Sequence, residues 1–179
     1  VRGNHDSSAT QRAVAAQPNA VALDGNAVQV AGLRFWGAAD ERYTPDRSSR
    51  EATGSTARLD SAAIAASLEE SEPPQADVAL VHDPAMADEL GGLVPLVLAG
   101  HTHEATDDVV GDTRLLVEGS TGGAGLRGLQ GDEALPLTCS VLYFDRDQRR
   151  LLAYDRITVE GLGGTGAVIE RTILRAEDR

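Results

Sequence analysis

Four histidines, His5, His82, His101 and His103, are the residues of this 179-residue chain best equipped for chemistry. His5 stands between Asn4 and Asp6 in VRGNHD, His82 follows the apolar run ADVALV, and His101 and His103 share the segment GHTH. In an extended segment residues i and i+2 point to the same side, so the HTH spacing expects both imidazoles to address one compact centre. Imidazole suits Zn, Fe, Mn, Ni and Co, and the Asn4 amide adds an oxygen, which implies a mixed nitrogen and oxygen metal site. A carboxylate such as Asp6 beside His5 would hold that ring in orientation and raise its basicity.

The elements that must position these residues read as α/β. SSATQRAVAAQ is expected to form a short helix capped at Ser7 or Ser8 and limited by Pro18. NAVALDG, NAVQVAG and LRFWGAAD read as extended segments turned by Asp24-Gly25-Asn26. Residues 40–58 read as a long polar surface loop, and LDSAAIAASLEE as a helix stopped before Pro73-Pro74. ADVALVHD, AMADEL and VPLVLAGHTH then give strand, short helix and strand, with the histidines at the strand ends where ligands of such sheets gather. From Asp107 onward the pattern is all β: a hairpin about Gly111-Asp112, a glycine-rich loop, a second hairpin turned near Asp145 to Gln148, and a closing strand AVIERTILR.

Composition excludes several classes. There are 28 acidic and 16 basic residues, a formal charge of −12, which argues against non-specific nucleic-acid binding or an anionic membrane surface. A small anionic substrate remains compatible, because bound cations reverse the local sign. No apolar run reaches the roughly 18 to 20 residues needed to span a bilayer, so this piece is expected to be soluble, cytoplasmic or attached to a membrane through a missing N-terminal part. Cys139, the one cysteine, rules out an internal disulfide, and its apolar alternating neighbourhood expects a buried thiol. Trp36 and Phe35 are expected in the core.

GNHD at 3–6, VHDP at 81–84 and GHTH at 100–103, in that order, resemble the last three motifs of the calcineurin-like metallophosphoesterase superfamily. The segment GSTGGAGLRGL also resembles a stretch in its bacterial members. The resemblance implies a two-sheet αββα sandwich of class α/β, of which this chain would be the C-terminal portion, with the N-terminal βαβ units missing. It divides the chain into a metal-site α/β part, 1–106, and a β-rich second-sheet part, 107–179. It further implies a centre of two metal ions, Mn, Fe or Zn, acting on a phosphate-ester substrate. Asn4, His82 and His101 would bind one ion and His103 the other, while His5 would protonate the leaving group with Asp6 orienting it. Arg127, in the glycine-rich loop, is the residue offered to substrate.

The motifs Asp-x-His and Gly-Asp-x-x-Asp, which this resemblance also requires, do not occur in the sequence. The expected function is therefore that of a metal-dependent phosphoesterase, an enzyme in its complete form and weak as this piece. The alternative is a non-catalytic metal-binding or interaction module derived from such an enzyme. A mononuclear zinc hydrolase built on His82, His101 and His103 is a third reading, which leaves Asn4, His5 and Asp6 unexplained.

Overall fold

The computed structural model describes residues 1–40, 42, 66–68, 76–122, 135–161 and 164–175. Arg127, most of the polar stretch 40–58 and most of the expected helix 59–70 lie outside them; residues 66–68 are helical.

Helix α1, Ser8–Ala15, begins as its sequence expects: Ser7 is the N-cap, its hydroxyl accepting the Thr10 N–H at 3.1 Å. Strands β1 (Asn26–Val30) and β2 (Leu33–Gly37) form a hairpin in which Val30 pairs with Leu33. Its turn is Ala31-Gly32, both with positive φ, 51° and 89°, rather than Asp24-Gly25-Asn26. That triplet instead closes the approach to β1, where the Asp24 N–H donates to Asn26 Oδ1 and the Gly25 N–H donates to the Gly37 carbonyl. A two-residue turn of this type needs left-handed backbone at both positions to match strand twist, and Gly32 supplies one of them without strain.

Strands β3 (Val78–Leu80), β4 (Leu96–Ala99), β5 (Thr106–Val110) and β6 (Thr113–Val117) complete a six-stranded sheet of order β1-β2-β3-β4-β6-β5. β2, β3, β4 and β6 run parallel, with β1 and β5 antiparallel at the edges. The short helix between β3 and β4 is a 3₁₀ helix, Pro84–Leu90, capped by Asp83. Strands β7 (Leu137–Phe144), β8 (Leu151–Val159) and β9 (Ala167–Ile173) form a separate antiparallel sheet. The fold is mixed α/β with two sheets.

The expected boundary at residue 107 moves. The hairpin β5–β6 belongs to the first sheet, and among the described residues the second sheet starts at Leu137. Leu115, Leu116 and Val117 are buried in succession, the mark of a strand covered on both faces, and β6 therefore lies inside the parallel run beside β4.

Alternation then assigns two cores. Trp36, Ala79, Val97 and Leu115 lie in one row across the sheet and pack with Met86, Ala87 and Leu90 of the 3₁₀ helix. Phe35, Val78, Leu80, Leu98 and Leu116 face the other way, onto Leu142, Phe144, Leu151 and Tyr154 of the second sheet. Trp36 is 1% exposed, as its aromatic bulk expects. Cys139 corrects its expectation: it is exposed, because Thr138 is the buried neighbour on β7 and the period of two turns Cys139 outward. Fully buried Thr113 ties β6 to the segment before β4, its hydroxyl donating to the Val94 carbonyl at 2.5 Å and accepting the Gly92 N–H at 2.9 Å. Among the described residues no helix is long and apolar enough to cross a membrane.

Candidate metal centre

His82 lies two residues past the end of β3, and His101 two residues past the end of β4. The ladder continues beyond the strands, with Val81 N–H donating to Leu98 O and Gly100 N–H donating to His82 O, so the two loops leave the sheet side by side. Their rings meet edge to face with centroids 4.8 Å apart. This is the carboxyl end of the parallel strands, where the chain passes from sheet into loop and side chains are free to converge.

Asn4 arrives from the far end of the sequence. The Asp6 N–H donates to the Gly3 carbonyl and the Gly3 N–H donates to Asp6 Oδ2, both at 3.0 Å, which closes residues 3–6 into a tight loop. The Asp40 N–H, just past β2, donates to the Arg2 carbonyl and moors that loop to the sheet. Asn4 is thereby buried, while His5 next to it is exposed. Asp6 thus shapes the loop that presents both residues.

Asn4 Oδ1 lies 2.8 Å from His82 Nε2, and His101 Nδ1 lies 3.0 Å from the same nitrogen. A carbonyl oxygen only accepts, so a hydrogen bond between Asn4 and His82 needs the proton on His82 Nε2, and that same nitrogen also stands within reach of His101 Nδ1. With both ring nitrogens deprotonated the three atoms turn lone pairs toward one another, an arrangement that a cation satisfies. Both separations are short enough for the atoms to serve as neighbouring donors to one cation. Burial, together with repulsion from His101, holds the His82 imidazole below its ordinary pKa against the opposing pull of Asp40 and Asp83; the neutral ligand form is favoured.

The site residues expected from sequence thus divide. Asn4, His82 and His101 come together. His103 is exposed and, among the described residues, shares no hydrogen bond or ring contact with them. The expectation that HTH is extended is corrected: His101 and His103 have φ of 68° and 61°, left-handed backbone, so alternation along a strand does not govern their directions. Among the described residues no three His, Cys, Asp or Glu side chains gather at one point, and the trio depends on an amide.

Gly3 is what lets the trio close. A Cβ there would lie 2.9 Å from His82 Cε1 and Nδ1 and 3.3 Å from Nε2, inside the imidazole's own space. Gly3→Ala is expected to push the ring off Asn4 and His101, costing about 1–3 kcal/mol in stability from overpacking and weakening metal affinity about tenfold or more. Thermal melting and a calorimetric metal titration of the variant check both.

Asp83, its ionic partner Arg42, and Asp40, which pairs with the same Arg42, were not among the expected site residues. His101 Nε2 is 3.9 Å from Asp83 Oδ2, and Arg42 Nη2 is 2.5 Å from that same oxygen. The signal lay in VHDP, whose aspartate is the 3₁₀ N-cap, but nothing local shows that it meets Arg42.

No protein-family model and no curated protein matches the chain. Among solved structures it is similar to wild-type Vps29 from Entamoeba histolytica complexed with Zn²⁺, at 12% identity and a TM-score of 0.36. That match covers 83% of this chain and 59% of the other. A double mutant of Vps29 from the same organism gives 12% identity and a TM-score of 0.40, over 97% of this chain and 79% of that one. The chain spans under two thirds of the length of the zinc-complexed structure, and likeness at this level carries no inference about its site.

Proposed function

We propose that the chain is the metal-holding part of a metal-dependent phosphoesterase that hydrolyses a phosphomonoester or phosphodiester. The observation that carries this reading is the meeting of Asn4 Oδ1, His82 Nε2 and His101 Nδ1, contributed by three segments far apart in sequence. A bound cation pair supplies Lewis acidity toward phosphoryl oxygens and a hydroxide near neutral pH. Asn4, His82 and His101 hold one ion of the pair, Mn, Fe or Zn, and His103 serves the other. Exposed His5, carried on the loop that buries Asn4, gives a proton to the leaving oxygen. Asp6 fixes that loop, and Arg127 contacts the substrate. The formal charge of −12 favours a small phosphate ester over a polyanion.

A second reading, a non-catalytic metal-binding or interaction module, draws support from the separation of His103 and from the absence of a three-residue His, Cys, Asp or Glu cluster among the described residues. Metal analysis and hydrolysis of an artificial aryl phosphate by the protein expressed from its whole gene separate the two. Two ions per chain with turnover support the enzyme. Zero or one ion without turnover supports the module.

A further inference from the structure

Beneath the two converging imidazoles lies a buried ionic triad that neither the motifs nor the metal reading assigns. Arg42 Nη2 sits 2.6 Å from Asp40 Oδ2 and 2.5 Å from Asp83 Oδ2, while its Nε donates to Asp40 Oδ1 at 2.9 Å. All three side chains are nearly inaccessible, 8% exposed for Arg42, 3% for Asp40 and 11% for Asp83. Ions held this far from water need tight geometry, and the paired contacts of one guanidinium with two carboxylates provide it.

The triad touches every segment of the site. The Asp40 backbone N–H donates to the Arg2 carbonyl, two residues before Asn4. Asp83 follows His82 directly, and its Oδ1 accepts the Ala85 N–H at 3.0 Å, which fixes the turn out of β3. Asp83 Oδ2 faces His101 Nε2 at 3.9 Å, the ring nitrogen opposite the one that meets His82. Two carboxylates against one guanidinium leave a net charge of −1 beneath the imidazoles.

We propose that Asp83, clamped through Arg42 to Asp40, is a positioning residue that orients the His101 ring and supplies the negative charge that raises the affinity of the Asn4–His82–His101 site for a divalent cation. The proposal rests on the metal reading above. Carboxylates that support the second nitrogen of a ligating histidine fix its ring and raise its basicity, and their loss typically weakens metal binding about 10- to 100-fold; at 3.9 Å Asp83 acts on His101 through its charge rather than through a hydrogen bond. Arg42 holds Asp83 at a fixed place without cancelling the charge of both acids. Asp40 couples that place to the loop carrying Asn4.

The test is calorimetric titration of the protein expressed from its whole gene with Zn²⁺, and with Co²⁺ while its visible absorption is recorded. Asp83→Asn keeps an acceptor for the Ala85 N–H and removes the charge. It is expected to lose about tenfold or more in affinity and to shift the Co²⁺ bands, with its circular dichroism unchanged. Affinity within twofold of wild type, or unaltered bands, overturns the proposal. Should Asp83→Asn fail to fold, Arg42→Lys gives the decision: it keeps the charge but lacks the planar fork that spans two carboxylates. Weaker binding with shifted Co²⁺ bands supports the proposal, and wild-type behaviour overturns it. A wild-type protein that binds neither ion sinks the metal reading itself, and the positioning role falls with it; an unchanged variant of a metal-binding wild type sinks the positioning role alone.

Discussion

Replacing His5 by alanine is expected to slow hydrolysis of an aryl phosphate by about 10²- to 10⁴-fold while metal content stays unchanged. The contrast between neighbours makes the expectation sharp. Asn4 is 8% exposed and lies 2.8 Å from His82 Nε2, whereas the His5 side chain is exposed on the same loop. The loop is held by backbone bonds between Gly3 and Asp6 and by the Asp40 N–H on Arg2, and none of these uses the imidazole. Truncation therefore removes a proton donor while the backbone bonds that hold the loop of Asn4 remain. Turnover rate and metal stoichiometry, measured on the same preparation, check both halves. Equal loss of metal and rate would show His5 to be a ligand, and an unchanged rate would remove it from the chemistry.

The largest effect on stability is expected at Trp36. It is 1% exposed at the centre of the first core, paired in register with Ala27 and Ala79, both small enough to leave room for the indole. Trp36→Ala opens a cavity that Ala79, Val97 and the 3₁₀ helix cannot close without moving β2 and β3. The expected cost is about 3–5 kcal/mol, read as a lower midpoint in urea unfolding. The loss should reach the site as well, since the parallel strands that carry Asp40, His82 and His101 are ordered around this row. Trp36→Phe is expected to cost less than Trp36→Ala. Its ring refills part of the space, and the indole N–H has no hydrogen-bond partner among the described residues to lose.

Much of this molecule was legible from short-range pattern. The Ser7 cap, the hairpins about Gly111-Asp112 and Asp145 to Gln148, the closing strand and the buried Trp36 follow from capping, turn chemistry and hydrophobicity, which act within a few residues. The failures share a cause. Ala31-Gly32 outcompeted Asp24-Gly25-Asn26 as the hairpin turn because the strand register, set by Trp36 facing the core, needed the turn six residues later. The hairpin β5–β6 joined the first sheet because β4 offered a parallel neighbour for its doubly buried strand. Cys139 faces outward because its strand has one covered face and Thr138 took it.

The residues alone settled that His82 and the His101–His103 pair stand at the ends of apolar runs and that His5 lies between an amide and a carboxylate, the donor types of a nitrogen and oxygen metal site. Residue type and local spacing carry that much, because ligand chemistry is a property of each side chain. Which donors meet was decided only by the tertiary structure. Asn4 reaches His82 across 78 residues of sequence and Arg42 reaches Asp83 across 41, both through strand order and backbone mooring. The left-handed turns at His101 and His103 likewise broke the alternation their spacing implied. Sequence spacing predicts direction only while the backbone stays regular, and this centre lies where the strands have ended.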